Sequence, residues 1–220
     1  VTATTALAPA PPHRARLLYS PRAWRQWFRF KSDAIRARHA EHNLATIIDH
    51  VPRGARVLDV GAGDGRLAAL LRDRHGCDVH AVDVTDDCQT DVRFSRYDGR
   101  TLPVPNGSQD VVLLMYVLHH AADDAAVLAE ARRVLAPGGV LIVAEDQVET
   151  RRQRAVTIGF HVWLWTFTRM GWAGEFRPAD AWRARLAAAG LAPEHTIDLG
   201  AQGRLWPRNI LFTARAPRAS

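Results

Sequence analysis

The sequence predicts an α/β fold: a seven-stranded, mostly parallel sheet with helices on both faces and a small helical cap. From residue 55 onward, short apolar runs alternate with helical patterns. That is the signature of a parallel sheet whose crossovers lie on its faces. A glycine-rich turn, "DVGAGDG" at 59–65, joins the first apolar run directly to a helical pattern. The length of 220 residues suffices for one domain with a substantial core and a small cap.

The elements follow in order. Residues 1–16, which open "VTATTALAPAPPH", lack a basic start followed by an apolar core. They are expected to be a disordered tail rather than a signal peptide. Residues 17–50 precede the first strand and read as a helical cap, with Trp24, Trp27, Phe28, Phe30 and Ile35 apolar. The main domain is then 51–220. "RVLDV" (56–60) is a buried strand, followed by a helix from about Asp64 to Arg74. "DVHAVDV" (78–84) and "VRFSRYD" (92–98) are the second and third strands, joined by a short polar connection. "DVVLLMYV" (110–117) is apolar enough to be central. A helical face over 123–135 is stopped by "PGG" at 137–139, and "VLIVAED" (140–146) is the fifth strand. Residues 151–177 are an insertion that adds to the cap. A helix over 179–189 stops at Gly190, and "HTIDLG" and "NILFTARA" close the sheet.

Composition removes several classes of function. No apolar run approaches the roughly 18–20 uncharged residues of a membrane span. Cys77 and Cys88 match no metal spacing and form no disulfide framework, so a reduced, cytoplasmic protein without a metal site is expected. Net charge is +6 and the pI about 10.3. The basic residues are almost all arginine, however, with Lys31 the only lysine, and they are interleaved with acids. No basic stripe or aromatic RNA motif accompanies them, so a nucleic-acid partner is not expected. Nothing in the chain speaks to its oligomeric state.

The glycine turn carries the function. In open parallel sheets, ligands sit at the carboxyl ends of the strands, where the strand order reverses. A nicotinamide dinucleotide would require G-x-G-x-x-G, but this turn reads Gly61-x-Gly63-x-Gly65, with Asp59 and Asp64 flanking it. A pyrophosphate meets those acids unfavourably, whereas a ligand with a cationic end gains from them. S-adenosylmethionine has no phosphate, carries an ammonium and a sulfonium, and needs an acceptor for its ribose hydroxyls. Asp83, at the end of the second strand, follows Asp59 at close to the roughly 20-residue spacing of a ribose-binding acid.

On these residues the chain resembles the class I S-adenosylmethionine-dependent methyltransferases, from about residue 42 to 146 and more loosely to the C-terminus. "VLDVGAGDGRLAALL" resembles their first motif and "VHAVDVT" their ribose-binding motif. "YDGRTLPVPNGSQDVVLLMYVLHH" and "EARRVLAPGGVLIVAED" resemble those that follow, in the same order. The pattern is most similar to the small-molecule branch that includes the ubiquinone/menaquinone methyltransferases. Gln109 departs from it, standing where that branch has an aromatic or bulky apolar residue. The resemblance implies a Rossmann-like fold, a methyltransferase domain over 51–220, and a set of cofactor contacts. Gly61, Ala62, Gly63 and Gly65 would meet the methionyl part, and Asp59 its amino group. Asp83, with Val84, would take the ribose. Asp98, with Gly99, would take the adenine amino group. Leu114 and Met115 would lie near the sulfonium.

Methyl transfer from a sulfonium is an in-line displacement, which needs a base only if the acceptor must lose a proton. His119, His120 and Asp146 are the candidates, each with a structural alternative as a loop partner or cap. The apolar segment "AVTIGFHVWLWTFTRMGW" (155–172) is either cap core or an aromatic-lined acceptor pocket, with Phe160, His161 and Trp163 as candidates. Tyr19 and Trp24 join them from the N-terminal cap. A small apolar or aromatic acceptor follows, such as a quinone-like metabolite or natural product. A lipid-like acceptor and brief contact with a membrane surface remain open. So do two rival classes, a nicotinamide-dependent oxidoreductase and a non-catalytic cofactor-binding protein.

Overall fold

A computed structural model describes the backbone of residues 21–168 and 175–218, and the side chains of 33–163 and 175–218. The tail expected over 1–16, Tyr19, and the side chain of Trp24 lie outside the described residues. The chain divides into two compact units, residues 1–40 and 41–220. In the first, the described element is the opening of helix α1 (Pro21–Ile47). In the second, α1 ends and a 3-10 turn, Ile48–His50, leads to the sheet.

The second unit contains strands β1 (Arg56–Val60), β2 (Asp78–Asp83), β3 (Arg93–Arg96), β4 (Gln109–Met115), β5 (Leu135–Gln147), β6 (Pro193–Ala201) and β7 (Arg208–Arg215). Between them stand helices α2 (Arg66–His75), α3 (Asp124–Val134), α4 (Arg151–Thr168) and α5 (Ala179–Ala188). The strand order is β3-β2-β1-β4-β5-β7-β6. β7 runs antiparallel to both its neighbours, and the other pairings are parallel. The order reverses between β1 and β4, so the ligand crevice of such a sheet falls at their carboxyl ends.

Alternation along the strands builds two cores. Leu58, Val60, Val112, Leu114 and Leu141 are buried with Leu128 of α3 and Trp182 and Leu186 of α5. Val57, Val79, Val111, Leu113 and Ile142 are buried with Ile47 of α1 and Leu67 and Leu71 of α2. Successive strand residues enter opposite cores, as the pleat requires. Both faces of the sheet are therefore covered, and each wholly buried leucine contributes about 1.5–3 kcal/mol.

Two boundaries differ from the sequence expectation, for local reasons. The helix expected from Asp64 begins at Arg66, because Gly63 and Gly65 take left-handed backbone (φ 55° and 78°) and prolong the turn. The helix expected to run to 135 ends at Val134, and β5 begins at Leu135 rather than 140. Pro137 disfavours helix at Ala136, and Leu135 pairs with Gln109 of β4. Arg133, next to that boundary, donates to the carbonyls of Leu102 and Val104 and to Asn106, while Glu130 accepts from the Leu102 amide. The "EARRVL" motif thus pins the "LPVPN" segment that leads into β4. No helix among the described residues is long and apolar enough to cross a membrane.

Candidate active site

The glycine turn leaves β1 at the crevice. A side chain on Gly61 would lie 2.5 Å from Val117 Cγ2, and one on Gly65 would lie 2.5 Å from Thr90 Oγ1 and 2.8 Å from Cys88 Sγ. These two glycines allow close packing. A side chain on Gly63 would meet nothing within 4 Å, so this is the point where the turn opens to free space. Asp59 is 2% exposed, and its Oδ2 accepts no hydrogen bond among the described residues. Burial, then the charges of Asp83 and Asp64, push its carboxyl up to about 7. Asp64, expected beside Asp59 as a second acid for a cation, is instead paired with Arg66 at 2.9 Å. The attraction for a cationic group therefore rests on Asp59.

Asp83 ends β2. Its Oδ2 accepts the Gly63 amide at 2.8 Å, and its Oδ1 accepts the amide and hydroxyl of Thr85 at 2.9 and 3.1 Å. It ties the glycine turn to β2 and to the residues that follow it. Asp98 Oδ1 caps the following turn through the amides of Arg100 and Thr101, both at 2.8 Å. Those bonds hold its carboxyl below the usual range. Val84 is 48% exposed, and a side chain on Gly99 would lie 3.3 Å from its Cγ1. An apolar ledge therefore stands beside Asp98. Ala62 and Met115 are half-buried against the second core. Leu114 is wholly buried in the first, so its side chain is packed in the core rather than presented to the crevice. The physical reason is the pleat, which turns alternate β4 residues into opposite cores.

Beyond β4 and β5 lies a buried polar cluster. The 3-10 turn Leu118–His120 places His119 Nδ1 2.5 Å from Glu145 Oε2, while Glu145 Oε1 accepts the Leu118 amide at 2.6 Å. Burial raises the Glu145 carboxyl and lowers the His119 imidazole, both toward their uncharged forms. His161 donates from Nδ1 to the Thr157 carbonyl at 2.9 Å, and its Nε2 lies 3.2 Å from His119 Nε2 and 3.6 Å from Asp146 Oδ2. Burial lowers His161 to about 4. Asp146 accepts from Asn209 Nδ2 at 2.7 Å and is raised by burial to about 7. Phe176 is packed against the rings of His119 and His161, with centroids 5.3 and 4.6 Å away. Next to it, Phe160 contacts Trp163 and Trp206, with centroids 6.0 and 5.1 Å away.

His119, His120, Asp146 and His161 thus converge, with Phe160 and Trp163 adjoining them. Sequence reasoning passed over Glu145, Tyr116, Phe176 and Trp206. Glu145 had a signal: two acids in succession at the end of an apolar strand. Tyr116 had none. It takes left-handed backbone (φ 60°) immediately after β4, its amide donates to Ala144 O at 2.7 Å, and burial raises its phenol. Non-glycine residues in that conformation concentrate at functional sites. A shallow cleft lined by Asp49, His50, Glu194, His195 and Arg215 lies at the opposite ends of the strands, away from these groups.

A doubly covered sheet with this strand order, a glycine turn at its switch point and an acid ending β2 defines a Rossmann-like fold. A methyltransferase-domain family model matches residues 32–196, and the chain belongs to that family. It is 34% identical over 116 residues to the 2-methyl-6-phytyl-1,4-hydroquinone methyltransferase of Synechocystis sp., covering 48% of this chain and 36% of that protein. It is 28% identical over 166 residues to the 27-O-demethylrifamycin SV methyltransferase of Amycolatopsis mediterranei, covering 66% of this chain and 57% of that protein. The chain spans about half the length of these curated relatives or less. The solved structure of YcgJ from Bacillus subtilis has the same fold, with TM-score 0.63 and 18% identity over 81% of this chain and 100% of that one.

Proposed function

We propose that this protein transfers the methyl group of S-adenosylmethionine to a small apolar or aromatic acceptor. The observation that carries the reading is the buried Oδ2 of Asp59, without a hydrogen-bond partner among the described residues, in the turn that opens at Gly63. A buried carboxylate is costly unless a cation meets it, and the cofactor's ammonium is such a cation. A nicotinamide dinucleotide would bring phosphates to the same place, which disfavours the oxidoreductase alternative.

Asp59 accepts from the ammonium, Asp83 from the ribose hydroxyls, and Asp98 from the adenine amino group, with Val84 and Gly99 against the adenine plane. These residues hold the sulfonium still. The polar cluster after β4 and β5 faces the acceptor and takes its proton where one must leave. Burial favours the uncharged imidazoles of His119 and His161, the form in which they accept. Phe160, Trp163, Phe176 and Trp206 supply apolar area for the acceptor, and exclusion of water strengthens the alignment. One relative is named for a hydroquinone and the other for an O-demethylrifamycin, so a hydroquinone or a hydroxylated natural product is the class to test first. A lipid-like acceptor is the second reading, favoured by the exposure of Trp163, Leu205 and Trp206 at 56%, 77% and 43%. A reducing, cytoplasmic setting suits the free cysteines.

The test is calorimetric titration with S-adenosylmethionine and S-adenosylhomocysteine, then transfer of labelled methyl to a panel of hydroquinones and phenols. Folded protein that binds neither compound at millimolar concentration refutes the cofactor assignment.

A further inference from the structure

We infer that His119, His120 and His161 form a binding site for a divalent transition-metal ion of the zinc type, with Asp146 at its edge. The spacing of the cysteines gave no reason to expect a metal. His161, some forty residues from the other two, is brought to them only by the fold.

The three histidines each offer a ring nitrogen, and these nitrogens all lie within 4.8 Å of one another. One pair, the Nε2 atoms of His119 and His161, is 3.2 Å apart. Two ligands bound at about 2.0–2.1 Å to one tetrahedral zinc stand about 3.3–3.4 Å apart. The pair is therefore already at the separation that one ion would impose. Asp146 Oδ2, 3.6 Å from His161 Nε2, brings a carboxylate to the same point.

The outer contacts match this role. Metal-bound histidines characteristically hold their other ring nitrogen against a carboxylate or backbone carbonyl, which fixes the ring and the nitrogen it presents. His119 Nδ1 is held by Glu145, itself fixed by the Leu118 amide, and His161 Nδ1 donates to Thr157 O. With both Nδ1 atoms engaged, both rings turn Nε2 toward one another. A positive charge belongs between two such nitrogens. A single proton could bridge that pair, but it has no use for the third imidazole and the carboxylate that converge beside it. Three nitrogens leave a fourth position on a tetrahedral ion for Asp146, water or an oxygen of a bound acceptor. The inference rests on side-chain geometry and does not depend on the methyl-transfer reading.

The experiment uses the untagged full chain, stripped with chelator and titrated with zinc(II) by calorimetry. Cobalt(II) absorption reports nitrogen ligation in a tetrahedral field. One equivalent per chain is expected. His161→Gln and the half-buried His120→Gln should each weaken it at least tenfold, and Glu145→Gln by about ten- to a hundredfold through the lost outer contact. Circular dichroism and S-adenosylmethionine titration on the same samples establish folding and the cofactor site separately. Folded, cofactor-binding protein that takes up no stoichiometric zinc, or whose zinc is indifferent to His161→Gln, overturns the metal site and leaves a shared proton between the two nitrogens.

Discussion

Asp59→Asn separates a carboxylate kept for a ligand from one that holds the turn together. The carboxyl sits at about 7 in the fold against an ordinary 3.8, with burial as the largest cause. At 1.36 kcal/mol per tenfold, that difference corresponds to about 4 kcal/mol. The sign follows from the direction of the shift. Below pH 3.8 both states are protonated and Asp59 contributes nothing. Between 3.8 and 7 the folded chain retains a proton that the unfolded chain has lost, so stability falls as pH rises, and the cost is complete above 7. Asparagine has nearly the same shape and cannot ionise. Urea unfolding of the cofactor-free protein should therefore show the variant gaining on wild type as pH rises, the gap widening by about 2–3 kcal/mol between pH 5 and 8. Calorimetry should show the opposite for the ligand. Loss of a charge-assisted contact to the ammonium weakens S-adenosylmethionine by about ten- to a hundredfold. A variant that is less stable at pH 8 and binds the cofactor as well as wild type would show that Asp59 serves the turn, and the reasoning would fail.

Asp83→Ala should weaken the cofactor by about ten- to a hundredfold and also lower the melting temperature, because it releases the Gly63 amide as well as the ribose; Asp83→Asn, which can still accept from that amide, should recover the melting temperature. Gly63→Ala should lower cofactor affinity for only about 1–2 kcal/mol of backbone strain, whereas Gly65→Ala adds a clash with Thr90 and Cys88 and should cost clearly more stability, as paired melts and titrations will show. Tyr116→Gly should be more stable than Tyr116→Ala by about 1 kcal/mol, since only glycine enters the left-handed region freely; the reverse order in urea unfolding would mean that Tyr116 relaxes to ordinary backbone.

The sequence alone determined the elements and marked the candidate residues of the cofactor half of the site. Both are written in local pattern. Alternating apolar runs specify strands, and three glycines alternating after an apolar run specify the turn. Asp59, Asp83 and Asp98 each stand at a strand end, and a parallel sheet brings those ends together whatever the details of packing. The second half of the site was only partly legible. His119 and His120 were marked by their place after β4, and Asp146 by its place after β5. That Glu145 reaches back to His119, that His161 meets it at 3.2 Å, and that Phe176 closes over both depends on how α4 and the segment before α5 pack on the sheet. These contacts join residues dozens of positions apart, and no periodicity encodes them. Backbone strain at Tyr116 was invisible for a related reason. A tyrosine prefers extended or helical backbone on its own, and only the packed ends of β4 and β5, which fix its amide on Ala144, hold it at positive φ.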